Sequence, residues 1–545
     1  MINWKRIAAA AVALILLLPV LTLAPRAAET ARDISKSVTF SAEGFENSKL
    51  INDGKAAEGA SSKGGSITLT AKENIGGLYM KFNYEPTAWS VTDGKKALEC
   101  GEGGFYHEFV DISAGIGEAK VLTLTFPAEI EISEIAVYSV GETPENVQVW
   151  QSPHGEADLL LFSTHSDDDQ LYFAGLIPYY VALGYKVQVA YLTNHPKEIH
   201  RRHELLDGLW TAGCRNYPIL EDFPDFRIDD LNKTIAKYET LGVSYAALEE
   251  YVIETIRRTK PLVTVTHDVK GEYGHGMHLL LSKMVREAVE KTDKADIYPA
   301  SAQEYGTWKM PKTYIHLYEK NKIVLDFDVP LDHFGGKSAF QMSQLAFKCH
   351  TSQQRWAMFV DWIYGKNKEI TKATQITTYN PAHYGLYSSE VGADIAKNDM
   401  FENLGRYLLR DELGEKDSRI EELEAKLKEL EEKLAALQLE NGTLAAERDA
   451  LLAQKEGLEG ELESLKKELE ALRKENEDSG AVEPEFTEPT PEGVLREQLD
   501  ELRAEIERGQ AEYDALVVLL IVTLIVASVA ILMPIFLKIG KKQNQ

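Results

Sequence analysis

This sequence of 545 residues contains few cysteines, and its basic side chains are fewer than its acidic ones. The three cysteines, Cys100, Cys214 and Cys349, are odd in number and widely spaced, which argues against a cysteine-ligated metal site. We expect them to be mostly buried small hydrophobic residues. The 59 basic side chains are outnumbered by 86 acidic ones, giving a net charge of −27. Nucleic-acid binding is therefore not expected, because a phosphate-binding surface needs a basic patch.

Long hydrophobic runs are also scarce, and the two that occur lie at the ends of the chain. Ile7 to Ala24 follows two basic residues, so residues 1–28 are predicted to be a signal peptide, with an uncleaved signal anchor as the alternative. Ala515 to Leu537 is 23 residues without a charge, and lysines follow it. This pattern predicts a transmembrane helix over 514–537, a cytoplasmic tail over 538–545 and everything earlier outside the cell. The predicted location is the cell membrane, with a single pass after signal cleavage.

Residues 35–148 alternate apolar and polar positions in short runs bounded by glycine-rich turns. Ser66 to Thr70, Val121 to Phe126 and Ile130 to Val140 are predicted strands. The region is therefore predicted to be a β-sandwich. Ile132 to Tyr138 and the turn Asn52-Asp53-Gly54 resemble a discoidin or galactose-binding-like jelly roll. That resemblance implies a carbohydrate-binding module, and a spacer or packing domain is the alternative.

Residues 155–395 change to strands that alternate with helices. The predicted strands are nearly continuous apolar runs: Asp158 to Ser163, Lys186 to Leu192 and Pro261 to Thr266. Helical periodicity lies between them, over Glu198 to Ala212 and Tyr245 to Arg258. This alternation predicts a Rossmann-like α/β domain, with a parallel sheet covered on both faces.

Residues 416–478 carry a heptad repeat in register, with Ile420 at an a position and leucine at every d position. A coiled coil is predicted, and Asn441 at an a position favours a parallel homodimer. The alternative is a single amphipathic helix that lies on the α/β domain, and the narrow a/d stripe counts against it. A linker rich in proline and acidic residues is predicted over 479–493, followed by a juxtamembrane helix over 494–513.

Two clusters of polar side chains follow predicted strands of the α/β region. Thr164-His165-Ser166-Asp167-Asp168-Asp169 follows the first strand, and His267 to His278 follows the strand that ends at Thr266. Helix capping by Ser166 and the acids is the simpler account of the first cluster, but it leaves the histidines unexplained. Strand-end loops of one sheet can share a pocket. His165, Asp168 and His278 would then form a catalytic zinc site with an open position, and Asp167 would be free to accept a proton.

The same segments resemble the PIG-L/LmbE-type N-acetylglucosamine deacetylases over residues of about 157–390. His165 to Asp169 resembles that family's His-Pro-Asp-Asp-Glu signature, and Tyr273 to His278 resembles its Tyr-Gly-His-Pro-Asp-His segment. Arg201 to Glu204 is similar to the family's Arg-x-x-Glu helix. His350-Thr351-Ser352-Gln353 is similar to its His-x-Ser-Gln segment.

The resemblance implies a role for each matching position. The implied zinc ligands are His165, Asp168 and His278. Asp167 is the implied general base, His275 stabilises the oxyanion or protonates the departing amine, and Tyr273 polarises the acetyl carbonyl. Arg201 is an implied sugar contact, with its register against Arg202 left open, and His350 is either a further sugar contact or a structural histidine. The sequence departs from the family at Ser166, Asp169 and Met277, and Met277 replaces an aspartate that could orient His275.

These patterns lead to one hypothesis and two alternatives. The hypothesis is a membrane-anchored extracellular zinc-dependent N-deacetylase that acts on N-acetylglucosamine-type sugars in cell-wall or surface glycans. The first alternative is a surface glycan-binding or scaffolding protein on a catalytically idle deacetylase fold. The second keeps the zinc hydrolase but gives it a different amide substrate.

Overall fold

The computed structural model describes residues 29–478 except 57, and residues 493–508 except 495 and 506. It divides into two units, Met1–Arg410 and Asp411–Gln545. The predicted signal segment 1–28, the transmembrane segment 514–537 and the tail 538–545 lie outside the described residues, as does nearly all of the linker 479–493.

Residues 29–148, here called the β region, form one antiparallel sheet. Its strands are β1 (Thr39–Glu46), β2 (Ala60–Thr70), β3 (Ile75–Phe82), β4 (Trp89–Thr92), β5 (Ala97–Cys100), β6 (His107–Asp111), β7 (Val121–Phe126) and β8 (Ile130–Ser139), with the short helix α1 (Ile112–Gly115) after β6. The strand order is β5-β4-β7-β2-β8-β3-β6, and β1 pairs with β2. The strands predicted at 66–70, 121–126 and 130–140 are confirmed.

The long strand β2 joins the two halves of this sheet. Its residues 65–70 pair with β7, and its residues 60–62 pair with β8. Side chains from both halves, among them Ile67, Trp89, Leu78 and Ile135, share one hydrophobic core. A sheet with a common strand that encloses one core differs from two separate sheets, so the jelly-roll-like sandwich stays a prediction.

Residues 155–404, here called the α/β region, contain a second sheet. Its strands are β9 (Leu159–Ser163), β10 (Val187–Tyr191), β11 (Ile219–Leu220), β12 (Val263–Thr266), β13 (Lys312–His316), β14 (Lys322–Val324) and β17 (His383–Ser389), while β15 (Pro330–Leu331) pairs only with β16 (Lys337–Ser338). Its helices are α2 (Asp168–Leu171), α3 (Leu176–Ala182), α4 (His200–Thr211), α5 (Leu231–Thr240), α6 (Tyr245–Thr259), α7 (Gly276–Ala288), α8 (Pro299–Tyr305), α9 (Ala339–Cys349) and α10 (Ala357–Tyr364).

The strand order of this sheet is β11-β10-β9-β12-β13-β17-β14. The first five strands are parallel, as the sequence predicts. Next to them β17 runs in the opposite direction, so it pairs antiparallel with β13 on one side and with the edge strand β14 on the other. The chain leaves β9 for β10 on one side and later returns to β12 on the other side. The carboxyl ends of β9 and β12 therefore flank the point where the strand order reverses, which is where open α/β sheets bind their ligands.

Both faces of the parallel strands are buried, because successive side chains point to opposite sides. Leu159, Leu161 and Val265 pack into a core with side chains of α3, α4 and α9. Leu160 and Phe162 pack into a second core with side chains of α5, α6 and α7. The sheet is therefore covered by helices on both faces, which makes its strand ends the accessible part.

The β region packs directly on the α/β region. The Tyr106 N–H donates a hydrogen bond of 2.9 Å to the Tyr217 hydroxyl, and Phe105 stacks on the Tyr217 ring at 4.4 Å. The Arg202 guanidinium donates to the Asn83 carbonyl oxygen at 3.0 Å. The two regions therefore share buried polar contacts as well as apolar ones.

The cysteines behave as the sequence predicts. All three are free thiols, with Cys100 and Cys214 buried and Cys349 partly exposed. Burial raises the pKa of the Cys100 and Cys214 thiols to about 12. Neither thiol is therefore ionised at neutral pH.

A single helix, α11, runs from Gly405 to Asp478 and includes the predicted coiled-coil segment 416–478. Its 74 residues correspond to about 110 Å at ~1.5 Å per residue. Several core-position leucines are well exposed on it, by 45–61%: Leu423, Leu427, Leu430, Leu434 and Leu437. Residues 496–505 are also helical. In the part of the chain that the structure describes, no helix combines the length and the apolar character that crossing a membrane requires.

Candidate metal centre and active site

Two neighbouring parallel strands bring the two polar clusters together. β9 ends at Ser163 and is followed by the first cluster, with α2 beginning at Asp168. β12 ends at Thr266 and is followed by a short 3-10 turn, Glu272–Gly274, and then by α7. Because β9 and β12 pair in parallel register, both clusters emerge at the same edge of the sheet.

The three predicted metal ligands form a compact group. His165 Nδ1 lies 2.9 Å from Asp168 Oδ2, and His278 Nε2 lies 3.1 Å from the same oxygen. The two histidine nitrogens are 3.2 Å apart. Tetrahedral zinc with bonds of about 2.0–2.1 Å places its ligand atoms about 3.3 Å from one another. The spacing and the two-histidine, one-carboxylate donor set therefore fit zinc.

Glu272 orients one of these ligands from behind. Its carboxylate is fully buried and accepts hydrogen bonds from Nδ1 of His278 at 2.8 Å, of His267 at 2.7 Å and of His316 at 2.7 Å. His278 thus carries a proton on Nδ1, so Nε2, which faces Asp168, is the nitrogen that a metal ion would bind. Carboxylate–histidine pairs of this kind fix the tautomer of a metal ligand and raise its basicity.

Asp225 stands in the same relation to the other histidine ligand. Its Oδ1 lies 3.3 Å from His165 Nε2, and its Oδ2 lies 3.3 Å from His195 Nδ1. The nearby histidines outweigh the effect of burial and hold the pKa of Asp225 well below its ordinary value. Each histidine of the ligand group is therefore backed by an ionised carboxylate.

The charges of the site favour a bound cation. Burial disfavours a charged imidazole, yet Asp168 and Asp225 outweigh it and raise the pKa of His165 to about 10. Asp168 and Glu272 likewise raise the pKa of His278 to about 9. These shifts express an excess of buried negative charge, which a divalent ion between the same three ligands would compensate.

His267 is close to the ligands but has no nitrogen left to bind a metal. Its ring stacks on His278 at 4.1 Å, and its Nε2 is 3.7 Å from Asp168 Oδ2. However, Nδ1 donates to Glu272, and Nε2 accepts a hydrogen bond of 3.0 Å from the Thr164 N–H. His267 therefore anchors the loop after β9.

The predicted general base Asp167 is held by Arg201. The Arg201 guanidinium donates to Asp167 Oδ1 at 2.9 Å and lies 3.5 Å from a Glu198 oxygen. Burial raises the pKa of Asp167, and the Arg201 charge opposes this. The sugar contact of Arg201 stays a prediction, and the structure places its guanidinium on a carboxylate next to the metal ligands.

Arg201 and Arg202, which the sequence left in uncertain register, point to different places. Arg202 donates to the carbonyls of Asn83 and Asn194 and lies 3.2 Å from Asp222. After β10, too, one residue of an adjacent pair contacts the β region and the other contacts the site. Asn194 donates to the Tyr106 hydroxyl at 3.0 Å, and the next residue, His195, lies beside Asp225. Two adjacent residue pairs thus connect the site to the β region.

His275 lies against the ligand group and is the first residue before helix α7. Its ring is 5.0 Å from the ring of His165 and 4.9 Å from that of His278. Its Nδ1 accepts a hydrogen bond from the Met277 N–H at 3.2 Å, so Nε2 is the nitrogen left for a substrate. Burial, together with His165 and His278, lowers the pKa of His275 to about 2. The Met277 side chain is buried in the core below α7 and offers no group to His275.

Helix α7 requires glycine at its first position. A Cβ on Gly276 would lie 2.0 Å from Thr234 Oγ1 and 2.4 Å from the Ile228 carbonyl oxygen. Just before it, Tyr273 adopts a left-handed backbone conformation with φ of 46°, and its ring lies 5.5 Å from the ring of His278. The tight turn thus places Tyr273, His275 and His278 around one point.

His350 is not part of the ligand group. It is fully buried, packs on Phe347 and has no hydrogen-bond partner for either nitrogen among the described residues. A Cβ on Gly208 of α4 would lie 2.8 Å from its Nε2. The following residues of that segment, Thr351 and Ser352, bond to Glu204 of the same helix. The segment therefore braces α4.

Several residues of the site were missed by the sequence analysis. Glu272 and His267 lie inside the second cluster, but nothing in the sequence distinguishes an orienting group from a ligand. His316 is the last residue of the buried strand β13, and the rule that sites collect at strand ends would have found it. Asp225 lies in a loop after the two-residue strand β11 and carries no motif.

The comparisons with known proteins concern this part of the chain. Residues 160–289 match the family model described as PIG-L, GlcNAc-PI de-N-acetylase. That stretch contains the three predicted ligands together with Asp167, Tyr273 and His275, and it ends before His350.

Two curated relatives and one solved structure are also similar to part of the chain. The chain is 28% identical over 185 residues to 1D-myo-inositol 2-acetamido-2-deoxy-alpha-D-glucopyranoside deacetylase of Mycolicibacterium smegmatis, covering 30% of this chain and 60% of the relative. It is 26% identical over 186 residues to deacetylase 1 of the same description from Catenulispora acidiphila, covering 30% of this chain and 56% of the relative. N,N'-diacetylchitobiose deacetylase from Pyrococcus horikoshii matches with a TM-score of 0.30 and 14% identity, covering 43% of this chain and 86% of that one. The chain thus spans 60% or less of the length of these two curated relatives.

Proposed function

We propose, from the PIG-L-type deacetylase domain that the α/β region contains, that this chain is a zinc-dependent N-deacetylase. Its substrate is the acetamido group of an N-acetylglucosamine-type unit in a cell-wall or surface glycan. The observation that carries the proposal is the group of three ligand atoms within 3.2 Å of one another, with Asp167 and His275 beside it.

His165, Asp168 and His278 would hold the zinc ion. When bound, such an ion polarises the acetyl carbonyl and makes its water acidic enough to act as a nucleophile near pH 7. Glu272 and Asp225 keep the two imidazoles in the tautomers that leave a lone pair for the metal.

Asp167 accepts the proton of the attacking water. It is adjacent in sequence to the ligand Asp168, and the Arg201 guanidinium fixes one of its oxygens. Burial raises its pKa, which strengthens it as a base relative to an exposed aspartate. Asp167 therefore combines a fixed position with a useful basicity.

His275 and Tyr273 act on the acetyl group itself. Because His275 Nδ1 accepts from the Met277 N–H, a neutral ring carries its proton on Nε2 and can donate it to the developing oxyanion. Tyr273 adds a hydroxyl donor from the same turn. Proton transfer to the departing amine follows from whichever group holds the proton taken from water, and Asp167 is placed to hold it.

The test is acetate release by the purified full chain from N-acetylglucosamine and its oligomers, with added zinc, with chelator and for Asp167→Asn. Release that requires both zinc and Asp167 is the expected result, and Asp53→Asn, in the β region, serves as the control. Bound zinc without release from any glycan would point to a different amide substrate. The absence of both bound zinc and acetate release would support an idle, glycan-binding fold.

We also propose that the chain is a parallel homodimer through helix α11. One support is the leucine at every d position, together with Asn441 at an a position. Another is that five leucines of the a and d positions, Leu423, Leu427, Leu430, Leu434 and Leu437, are at least 45% exposed on the single helix. Burial of these leucines in a dimer offsets the ordering of two chains. Light scattering should give twice the chain mass, and Leu430→Ser with Leu437→Ser should give monomers with unchanged activity per chain.

The membrane placement is a proposal that rests on the sequence of the two ends. The apolar run 515–537 followed by lysines supports a single span with the deacetylase domain outside the cell. Protease added to intact cells should remove the domain while sparing the tail 538–545. A chain that resists protease until the membrane is opened would contradict this placement.

For the β region we propose a jelly-roll-like sandwich that serves first as a packing domain. The support is its single core and its bonds to Arg202 and Asn194, which adjoin two residues of the site. A carbohydrate-binding role would show as binding of the full chain to glycans that survives substitution of the zinc ligands.

A further inference from the structure

A group of aromatic side chains lies beside the candidate metal centre and comes from a different part of the chain. Trp356, Trp362 and Tyr379 all follow residue 350, while the match to the deacetylase family ends at residue 289. These rings therefore lie outside the stretch that the family match describes.

Tyr172 connects two of these rings to the metal ligands. Its ring is 5.7 Å from that of His278 on one side, and 5.7 and 5.9 Å from those of Trp362 and Tyr379 on the other. Trp362 and Tyr379 stack on each other at 4.8 Å with their planes 15° apart. Since both are only partly buried, a continuous aromatic surface extends outward from His278.

Trp356 lies on the Asp167 side of the site. The neighbouring Arg355 guanidinium is 5.2 Å from the Trp356 ring and 3.9 Å from a Glu198 oxygen. The other Glu198 oxygen is 3.5 Å from Arg201, which holds Asp167. Arg355, which lies against the Trp356 ring, is thus linked to the general base through three successive ion pairs.

Trp356 is 51% exposed, more than any other tryptophan in the part of the chain that the structure describes. Next to it, Met358 is 55% exposed. Exposed apolar side chains that cluster beside a site commonly mark a surface that binds something. Here the neighbouring polar groups are the machinery for an acetamido sugar, so the apolar surface continues that site.

The backbone supports the same conclusion. Tyr379 has φ of 45° and Tyr273 has φ of 46°, so both residues adopt the left-handed conformation that tyrosine rarely takes. Such a strained residue persists where the surrounding structure requires the side chain in one place. The two strained tyrosines lie on either side of Tyr172, each with its ring 5.9 Å away.

We propose that Trp356, Trp362 and Tyr379 form a second sugar subsite, which stacks on a hexopyranose ring linked to the N-acetylated unit at the metal centre. This inference rests on the proposed deacetylase function and specifies its substrate as an oligosaccharide or polysaccharide. A pyranose ring with equatorial hydroxyls has an apolar C–H face, and flat aromatic side chains bury that face while leaving the hydroxyls in water. The subsite makes a monosaccharide a poor substrate because half of the binding surface stays empty.

The experiment compares acetate release by the zinc-loaded full chain from N-acetylglucosamine and from its β-1,4-linked dimer, trimer and tetramer. For the unsubstituted chain we expect kcat/KM to rise by at least about tenfold from monomer to trimer. For Trp356→Ala most of this gain should disappear, because kcat/KM for the trimer should fall by far more than kcat/KM for the monomer. Trp356→Tyr should retain most of the gain because it keeps a flat ring.

Tyr387→Ala is the matched control, since Tyr387 is 38% exposed on β17, toward the end of the sheet away from the site. It should leave both rates unchanged. Equal kcat/KM for monomer and trimer in the unsubstituted chain would overturn the subsite while leaving the deacetylase intact. So would a loss for Trp356→Ala that is the same for every chain length.

A binding measurement separates failure of the subsite from failure of the proposed activity. The chelator-treated chain is titrated with the tetramer, and the heat of binding is measured by calorimetry. Trp356→Ala should weaken this binding by about tenfold, and Tyr387→Ala should leave it unchanged. If no acetate is released from any sugar but this pattern is found, the proposed activity fails and the subsite stands. If the tetramer does not bind, or binds equally to Trp356→Ala, the subsite is wrong.

Discussion

The chain contains two groups of buried histidines, and they differ in what lies behind each ring. In the metal centre, His278 and His165 are backed by the carboxylates of Glu272 and Asp225. Between the β and α/β regions, His107 and His203 are hydrogen bonded to each other at 2.8 Å. At one end of the pair, the Tyr79 hydroxyl and the Gln148 amide oxygen both lie 2.8 Å from His107 Nδ1. At the other end, His203 Nε2 lies 3.1 Å from the Asn83 amide oxygen.

This difference determines which group can bind a metal. In the first, one nitrogen of each ligand is held by a carboxylate and the other faces an open point between His165, Asp168 and His278. In the second, all four imidazole nitrogens already have neighbours, so no lone pair is free. Burial lowers the pKa of both His107 and His203 below the ordinary value, which keeps this pair neutral. Histidine content and burial alone therefore do not identify a metal site. The hydrogen-bond partner of each imidazole nitrogen distinguishes a metal site from a structural pair.

The sharpest test of the comparison lies inside the metal centre, where His267 and His278 stack on each other but only His278 has a free nitrogen. His278→Asn should lower zinc affinity by more than about 100-fold, the upper end of the loss for groups that only orient a ligand. His267→Asn should lower it by less than about tenfold while reducing stability, because it loses the bond to Thr164. Competition with a chromophoric chelator measures both, and equal losses would contradict the assignment of ligands.

A second pair of neighbours, Arg201 and Arg202, tests how the site and the β region divide their contacts. Arg201→Gln should lower kcat by about 100-fold with zinc affinity preserved, because a displaced general base costs about that much. Arg202→Gln should lower the free energy of unfolding by about 1–3 kcal/mol, since it leaves buried carbonyls unpaired, and lower kcat less than tenfold. Steady-state kinetics and urea unfolding measure the two. The reverse pattern would show that the guanidinium on Asp167 is only structural.

Substitution of Glu272 tests how much its carboxylate, which is bonded to the histidines, contributes to zinc affinity. Glu272→Gln should lower zinc affinity by about 10–100-fold, because an amide cannot accept three imidazole N–H bonds and leaves His278 poorly oriented. Asp268→Asn, in the same loop, is the control, since the Asp268 side chain accepts only from the Lys270 N–H. Unchanged zinc affinity for Glu272→Gln would show that a carboxylate bonded to the ligand histidine is not what separates the metal centre from the His107–His203 pair.

The smallest effect is expected at the interface pair. Burial, with Lys81 adding to it, lowers the pKa of His203 from 6.5 to about 3. Between these values the unfolded chain binds a proton that the folded chain does not, so the free energy of unfolding falls as the pH is lowered below about 6.5. His203→Gln should be less stable at pH 7.5, with a shallower fall toward pH 4.5 and unchanged zinc content. Urea unfolding at several pH values measures this, and an identical slope would exclude His203 as its source.

The parts of the site that sequence could predict are those carried by short motifs at strand ends. His165, Asp168 and His278 follow β9 and β12, and the parallel pairing of those strands brings them within 3.2 Å as expected. Local patterning was equally informative for the helices, since the helix predicted over Tyr245 to Arg258 is α6, Tyr245–Thr259. Short-range periodicity carries this information because each element buries one face.

The remainder depended on contacts between distant segments. Asp225 reaches His165 across 60 residues of sequence. The strand β17 inserts between β13 and β14 only after the chain has passed through β15, β16, α9 and α10. The contact of Arg201 with Asp167 was missed because adjacent arginines on a helix point in different directions, and only the packing of α4 decides between them. Such choices are set by the tertiary structure rather than by the local sequence.

The two shared residue pairs, Asn194 with His195 and Arg201 with Arg202, have a consequence for how this architecture can be recombined. One member of each pair is hydrogen bonded to the β region and the other lies at the site. The β region is therefore not an exchangeable module. A deacetylase domain transplanted without the surface around Asn83 and Tyr106 would lose the anchor of its own active-site helix. Exposed side chains that do not join the two regions, such as Trp356, can vary without loosening that anchor.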